Sequence, residues 1–316
     1  MKGPLVSIGF PVFNGEKSLG RALDSVLTQD FKDFEVVLSD NASTDGTAAI
    51  CRAYAKRDTR IRYFRNETNI GVNPNHNRVF ELSRGKYFAW MAHDVEQLPG
   101  MISRCVREMN LYSPPVVLTY PWCELVDENG QPVGGDLPSI ASNDLRPHRR
   151  LGTVIRRIGF VTQHFGLFSA ETLRKTRLNG SYPSSDFVLT AELAMLGEIR
   201  EIPEVLVRRC YETQSGTRAV MHDKKAWAAW LDPKMKDRHF LLRVEERLAL
   251  EYVRSALTLP LQPLDKLACT LTGPYVHYRR RYPQTITAWR MRLGHFKRRL
   301  LTLISTAIRP CRRRSG

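Results

Sequence analysis

The fold can be predicted from one stretch, Leu38-Ser39-Asp40-Asn41-Ala42-Ser43-Thr44-Asp45-Gly46-Thr47. An apolar run ends there abruptly in a loop of polar, turn-forming residues. The composition and length of that run predict a buried strand. Similar transitions follow Leu5–Phe10 and Lys86–Met91. Each of them predicts a strand that runs into a polar loop.

The segments between these strands have helical spacing. Apolar residues between Glu16 and Thr28 recur at i, i+3, i+4, i+7 and i+8, which predicts a helix. A second helix is expected around Ile50 and Tyr54, a third strand at Ile61–Phe64, and a third helix at Asn75–Leu82. This alternation predicts an α/β fold whose mostly parallel sheet carries helices on both faces.

Three polar side chains follow the ends of the predicted strands. Asn14 follows the first strand, Asp40 the second and Asp94 the fourth. Ligands of such sheets bind at the carboxyl ends of the strands. We therefore expect the three side chains to lie around one crevice.

The positive charge of the chain is concentrated at its C-terminal end. The 316 residues include 48 Lys and Arg against 32 Asp and Glu, a formal net charge of +16. No acidic residue follows Asp265, whereas 13 of the cations do. The first 265 residues are therefore nearly neutral, with 35 cations and 32 anions.

Cysteine spacing and hydropathy predict the compartment. The six cysteines show neither a CxxC pair nor metal-type spacing, which predicts reduced thiols in a cytosolic protein. No signal peptide is expected at the N-terminus. No window approaches the roughly 18 apolar residues of a spanning helix, so any membrane contact is expected to be peripheral.

Four blocks of the sequence together resemble the family 2 glycosyltransferases of the GT-A fold. They are Val6–Asn14, Leu23–Gln29, Leu38–Thr47 and Gly85–Asp94, in this order and spacing within residues 4–99. The resemblance continues less sharply to Arg209 and ends near residue 216. It implies a GT-A domain at 1–216, with a nucleotide-sugar-binding half at 1–112 and an acceptor-binding half at 113–216. Residues 217–316 would form a helical, basic C-terminal region.

The resemblance implies roles for residues at the donor site. Asp40 resembles the base-binding acid of the family, since a carboxylate can accept a hydrogen bond from an imide N–H or a ribose hydroxyl. An ordinary turn-forming aspartate is the alternative. Pro11, Phe13 and Asn14 are expected to wrap the nucleotide with backbone groups, and Glu16 to approach the ribose or the base.

Asp94 resembles the metal-binding acid of the family. A divalent Mg²⁺ or Mn²⁺ held by carboxylates is the usual means of stabilising the departing nucleoside diphosphate. Here two flanking positions that are often acidic are Ala92 and Val95. Three possibilities stay open: a metal held largely by the diphosphate, weak metal dependence, or an inactive site. His93 is expected to be a neighbour in the loop and not a second ligand.

Asp186 is predicted to be the catalytic base. An inverting transfer needs a base that takes the proton of the attacking acceptor hydroxyl. Asp186 precedes the apolar run Val188–Leu196, which is expected to form an amphipathic helix, so a helix-capping aspartate is the alternative. Arg209 is expected to contact the diphosphate, with Tyr211 where the family often has His. A solvated edge-strand arginine is the alternative for Arg209.

The expected activity is transfer of a sugar from a nucleotide-diphosphate sugar to a hydroxyl of a lipid-linked or cell-envelope glycan, with inversion. One rival is a catalytically impaired GT-A protein that binds a nucleotide sugar or a partner enzyme. Another is a nucleic-acid-binding protein, to which the basic tail points. The tail lacks a recognisable RNA-binding motif and the body is nearly neutral, so no nucleic-acid partner is expected.

The C-terminal residues 279–316 are predicted to form an interfacial membrane anchor. Their apolar residues recur on one helical stripe, namely Ile286, Trp289, Leu293, Phe296, Leu300, Leu303, Ile304 and Ala307. Such a helix with many cations lies in the plane of an anionic membrane surface. Packing of the stripe on the protein itself is the alternative. The expectation is a cytoplasmic protein, peripheral on the cytoplasmic face of the cell membrane.

Overall fold

The structure, a computed structural model, describes residues 3–111, 116–127, 129–134, 138–159, 162–210, 223–235 and 243–282. Its centre is a sheet of eight strands. The strands are β1 (Val6–Val12), β2 (Phe34–Asp40), β3 (Ile61–Arg65), β4 (Tyr87–Trp90), β5 (Val95–Gln97), β6 (Val116–Val126), β7 (Leu167–Ser169) and β8 (Glu198–Cys210). Their spatial order is β3-β2-β1-β4-β7-β6-β8-β5.

The first four strands form the parallel half that the sequence predicts. β1 pairs in parallel with β2 and β4, and β2 pairs in parallel with β3. Every residue of β1 and β2 is buried, as expected for strands covered on both faces. β7 is antiparallel to β4 and β6, and β5 is antiparallel to β8. The predicted fold class is confirmed, with a mixed second half.

Ten α-helices surround the sheet in the described segments. They are α1 (Leu19–Leu27), α2 (Thr47–Arg57), α3 (Val72–Glu81), α4 (Met101–Asn110), α5 (Pro147–Arg157), α6 (Ala170–Leu173), α7 (Ser185–Leu196), α8 (Lys224–Leu231), α9 (Val244–Thr258) and α10 (Pro263–Arg281). The sequence of residues 136–150, which contains Pro and Arg, predicts a loop. This prediction is wrong at its end, because α5 begins at Pro147. Its apolar face of Leu151, Val154 and Ile155 is buried, although arginines dominate the local sequence.

Helix α7 is buried on all sides, whereas the sequence predicts an amphipathic helix. Residues 188–195 are all buried, including Thr190 and Glu192. A helix without a solvated face belongs to the interior of a protein. The prediction was wrong about the outer face because helices from the C-terminal region cover it.

The C-terminal helices share a hydrophobic core with the preceding domain. Side chains of α5, α7, α9 and α10 form one buried cluster. It contains Leu151, Ile155, Tyr182, Val188, Ala191, Met195, Leu248, Tyr252, Ala256, Leu259, Cys269 and Val276. The described part of the region expected at 217–316 therefore packs directly against the domain expected at 1–216.

The predicted membrane anchor lies mostly outside the described residues, since its apolar stripe falls within 283–316. Within the described segments, no helix combines the length and the apolar character needed to cross a bilayer. The five cysteines of these segments form no disulfide.

Candidate active site

Two loops at the carboxyl ends of β1 and β2 are fastened together by the predicted nucleotide-binding residues. Asn14 Oδ1 accepts a hydrogen bond from Thr44 N at 2.9 Å, and Glu16 Oε2 accepts one from Gly46 N at 3.0 Å. Asn14 has a positive φ of 51°, a conformation that asparagine tolerates better than most residues. The interlocked loops present Asn14 and Glu16 at the surface.

Pro11 and Phe13 lie on the same segment but differ in exposure. Pro11 is buried within β1, opposite Ser39 of β2. Phe13 is 41% exposed just after the strand. The exposed Phe13 ring is thus accessible to a ligand, whereas the Pro11 side chain is part of the sheet.

The Asp40 carboxylate is fully buried at the end of β2. Oδ1 accepts a hydrogen bond from Ser43 N at 2.8 Å, while Oδ2 accepts one from Tyr63 Oη at 3.0 Å and pairs with Arg65 Nη1 at 2.9 Å. Burial and the bond to Asp40 raise the pKa of the Tyr63 hydroxyl. The Arg65 side chain, 42% exposed, forms the outer side of this cluster.

Sequence reasoning missed Tyr63 and Arg65. The signal that could have found them is the parallel register, in which Arg65 of β3 lies opposite Asp40 of β2. Asp40 and Arg65 are the last residues of their strands, and functional side chains collect at such positions.

Asp94 and Arg209 form an ion pair. Asp94 Oδ2 lies 3.2 Å from Arg209 Nε, because the antiparallel register of β5 and β8 places Val95 opposite Arg209. The backbone strengthens the contact, since Cys210 N donates to Asp94 O at 2.9 Å. The structure thus brings together the predicted metal ligand and the predicted phosphate contact.

The residues around Asp94 can hold a divalent cation only if the bound substrate supplies further ligands. The Asp94 carboxylate supplies the oxygen ligands that Mg²⁺ and Mn²⁺ prefer. Its neighbours are engaged elsewhere: His93 Nδ1 lies 2.9 Å from Ser18 Oγ, and Glu96 pairs with Arg21 at 2.5 Å. The described residues hold no group of three potential ligands. A cation here would need oxygens from the bound diphosphate.

Asp186 lies in the first turn of α7, two residues after the N-cap Ser184. Within the described part of the chain, one other residue donates to its carboxylate, through Phe187 N to Oδ1 at 3.0 Å. Burial raises the pKa of the Asp186 carboxyl to about 6. A carboxyl group with this pKa can gain and lose a proton near neutral pH, as a general base must.

Two histidines lie beside Asp186, and a tryptophan contacts both of them. Burial lowers the pKa of both His76 and His164 to about 4; the charge of Asp186 opposes this shift at His76, and its backbone does so at His164. The Trp90 ring stacks on His164 with centroids 5.8 Å apart, and its indole N donates to His76 O at 2.9 Å. His164 Nε2 is buried without a hydrogen bond to any described residue.

A 3₁₀ turn at Gln163–Phe165 connects the two halves of the site. The Arg209 guanidinium lies over the Phe165 ring, 5.5 Å from its centroid. The adjacent His164 faces Trp90 and Asp186. The predicted base and the Asp94–Arg209 pair therefore border the same turn. Tyr211 lies outside the described residues.

Comparisons with known proteins identify the family of the chain. The sequence profile described as Glycosyl transferase family 2 matches residues 7–175. An uncharacterized glycosyltransferase of Rickettsia felis is 25% identical over 280 residues, 85% of this chain and 45% of that protein. A Campylobacter jejuni protein named GalNAc(5)-diNAcBac-PP-undecaprenol beta-1,3-glucosyltransferase is 34% identical over 108 residues, 34% of this chain and 35% of that protein. The chain spans less than half the length of these two curated relatives.

Solved structures share the fold. TarS 1-349 of S. aureus in complex with UDP-GlcNAc aligns with a TM-score of 0.53 and 15% identity, covering 89% of this chain and 93% of that one. The mannosyltransferase PcManGT of Pyrobaculum calidifontis in complex with GDP-Man and Mn²⁺ aligns with a TM-score of 0.55 and 16% identity, covering 88% and 71%. At these identities the likeness concerns the fold alone.

Proposed function

Because the chain belongs to glycosyl transferase family 2, we propose that it moves a sugar from a nucleotide-diphosphate donor to a hydroxyl of a lipid-linked or cell-envelope glycan, with inversion. The observation that carries the proposal is the Asp186 carboxyl at the start of α7, beside His164, where burial raises its pKa to about 6. The family and the transferase activity are its premise. The donor, the acceptor and the stereochemistry are the proposal.

In the proposed reaction, Asp186 accepts the proton of the acceptor hydroxyl as that oxygen attacks the anomeric carbon from the side opposite the diphosphate. Phe187 N fixes Oδ1 at 3.0 Å, which leaves Oδ2 to face the hydroxyl. The sugar–phosphate bond breaks and the nucleoside diphosphate departs with the bonding electrons. Removing the proton as the bond forms makes the hydroxyl oxygen a stronger nucleophile.

Arg209 and Asp94 would act on the departing diphosphate. The guanidinium of Arg209 can donate two parallel hydrogen bonds to phosphate oxygens. A divalent cation, when bound, would stabilise the negative charge that develops on the diphosphate, with Asp94 and the diphosphate oxygens as its ligands. Because Asp94 pairs with Arg209 at 3.2 Å, cation binding and release of Arg209 toward the phosphate are expected to be coupled.

The donor nucleotide would bind between the interlocked loops after β1 and β2. Phe13 offers an exposed ring, and Asn14 and Glu16 border it. Asp40 is closed in by Ser43, Tyr63 and Arg65. Its proposed contact with the base therefore requires the exposed Arg65 side chain to move aside.

A lipid-linked acceptor and a peripheral membrane location belong to the same proposal. The Campylobacter relative carries an undecaprenol diphosphate compound in its name, and the 13 cations after Asp265 suit an anionic surface. Deleting residues 283–316 is expected to weaken binding to anionic vesicles. It should reduce transfer to a lipid acceptor more than donor hydrolysis.

A second candidate function is binding of a nucleotide sugar without transfer. It is favoured by the pairing of Asp94 with Arg209 and by the engagement of His93 and Glu96 elsewhere. Such a protein would bind the donor but neither transfer nor hydrolyse it, with or without Mn²⁺.

Thermal unfolding with UDP-, GDP- and dTDP-sugars, with and without Mn²⁺, tests the donor site. A ligand at 100 times its Kd stabilises the fold by about 2.7 kcal/mol, so one nucleotide class should raise Tm. Asp94→Asn should lose the Mn²⁺-dependent part of the shift, and Asp40→Asn should weaken donor binding under both conditions. Asp33→Asn, in the exposed loop before β2, is the control. An unchanged Mn²⁺ response in Asp94→Asn would refute the metal assignment.

A further inference from the structure

Helix α10 exposes a row of large apolar side chains. Leu264, Leu267, Leu271 and Tyr275, here called the apolar stripe, are 81%, 59%, 66% and 41% exposed. At about 100° per residue they fall within a sector of ~80° on the helix. Monomeric proteins rarely leave contiguous apolar surface of this kind in water unless it binds something.

Among the described residues, α10 packs on the protein through its opposite face. The opposite face of α10 carries the buried residues Cys269, Gly273 and Val276. Gly273 lies so close to Tyr252 of α9 that a Cβ atom there would come within 2.9 Å of the Tyr252 Cβ. The helix is therefore held by one face while the other faces outward.

The exposed surface continues to the tip of the α9–α10 hairpin. Leu257, near the end of α9, is 57% exposed. Lys266 Nζ donates to the Leu257 carbonyl at 3.0 Å, which holds the first turn of α10 beside this residue. Leu257 therefore extends the apolar surface at the end where the stripe begins.

Charge identifies the partner that this surface fits. After Asp265 the chain has 13 cations and no anion, and Arg279 and Arg281 flank the stripe near the end of α10 on opposite sides of its axis. A helix with an apolar face and cationic flanks lies in the interface of an anionic bilayer. A second copy would bring two cationic segments together, which repel each other.

We infer that the apolar stripe of α10 docks the protein on an anionic phospholipid bilayer, with Leu264, Leu267 and Leu271 entering the headgroup–acyl boundary. The biological role of this docking rests on the proposed lipid-linked acceptor, whereas the docking itself does not. Docking by α10 would bring the acceptor and the enzyme to one surface. The surface and its chemistry are independent of Asp186 and of the donor loops.

The test compares two double variants of the full chain in sedimentation with phosphatidylglycerol vesicles. Leu264→Ser with Leu271→Ser removes two side chains of the stripe. Leu111→Ser with Leu145→Ser removes two leucines that are 52% and 83% exposed elsewhere. We expect the stripe variant to partition about tenfold more weakly, and the control to bind like the parent. Phosphatidylcholine vesicles and added NaCl should weaken binding of the parent.

Four outcomes decide the test. Unchanged Tm and unchanged donor hydrolysis in the stripe variant would show that its fold and active site are intact. Equal vesicle binding by the stripe variant and the parent would overturn the inference. So would parent protein that sediments as a dimer without lipid and becomes monomeric in the stripe variant, since the occupant would then be a second copy. If the parent did not hydrolyse the donor, the proposed function would be contradicted and the vesicle result would remain valid.

Discussion

The Asp186 carboxyl owes its behaviour to what surrounds it. Its neighbours Trp90, His76 and His164 offer little compensation for the lost water, since both histidines have pKa values lowered to about 4 and are neutral at physiological pH. Burial therefore dominates and raises the pKa of Asp186 to about 6. This places proton acceptance in the range where an enzyme uses it.

Asp186→Asn is expected to lower the transfer rate by about 10²–10⁴-fold while donor binding survives. Transfer by the parent should rise with pH through about 6, because the carboxyl must be ionised to accept a proton. The pH–rate profile of transfer and the donor-induced Tm shift measure both effects. A rate like that of the parent, in a variant that binds donor, would reduce Asp186 to a residue of the helix start.

Asp186→Asn should also change how the stability of the fold depends on pH. The folded-state pKa of Asp186 is raised above the model-peptide value of about 3.9, so the folded state binds the proton more tightly than the unfolded state. The ionised carboxyl therefore destabilises the fold progressively as pH rises toward 6. Asp186→Asn should be at least as stable as the parent at pH 7.5, and this advantage should shrink as the pH falls from about 6 to about 4.

Sequence patterns predicted which polar residues lie at the ends of the strands, but they did not predict which side chains these residues contact. Asp40 and Asp94 lie at strand ends, as predicted. The pairing of Asp94 with Arg209 depends on the β5–β8 register between residues more than a hundred positions apart. No local spacing encodes such a register. Trp90 is 1% exposed and belongs to the core, as a tryptophan in an apolar strand suggests, and it also stacks on His164.

At the scale of elements, α7 and α9 are joined by a buried ionic network. Arg177 contacts Glu192 of α7 at 2.7 Å and Glu251 of α9 at 2.5 Å. Ser255 Oγ donates to Glu192 Oε1 at 2.7 Å. Glu192 and Glu251 are 1% and 5% exposed. Arg177 compensates the charge of Glu192, whereas Glu251 also pairs with Arg247 at 2.7 Å.

Arg177→Met is expected to destabilise the protein by about 3–5 kcal/mol, because it leaves the buried Glu192 carboxylate without a cation and Glu251 with Arg247 alone. Lys175→Met is the matched control, since it makes the same change in the exposed Lys175–Glu171 pair. Urea unfolding of both variants measures the difference. If the two variants unfolded at the same urea concentration, the network would be dispensable.

Elements with one apolar face were predictable, and elements shaped by distant partners were not. The strands β1 to β4 and the helices between them follow the sequence pattern closely. The start of α5 was missed because its apolar residues are interleaved with arginines. The full burial of α7 depends on α9 and α10, whose contacts arise from residues far away in the chain.

At the scale of the whole molecule, the C-terminal helices complete the core. Leu151 of α5 and Val188 of α7 are buried in the cluster that Leu248 and Tyr252 of α9 close. The sequence predicted a domain boundary near residue 216, and this boundary stays a prediction. The shared cluster implies that the two parts do not fold separately.

A chain ending at residue 216 is expected to be insoluble or to unfold without a cooperative transition, because it exposes the apolar side chains of α5 and α7. A chain ending at residue 282 retains α9 and α10 and should unfold cooperatively. Soluble yield and circular-dichroism melting curves measure both. A cooperative transition in the shorter chain would show that residues 1–216 form an autonomous domain.

The all-round burial of α7 has a consequence for how this protein can diverge. A helix with one solvated face accepts replacements every three or four positions, which lets a lineage drift without losing stability. Residues 188–195 have no such face. Saturation mutagenesis across 188–195 should therefore find substitutions poorly tolerated at every position, without the three- to four-residue periodicity of a helix with a solvated face. The segment after the proposed base would be among the slowest-changing parts of the gene.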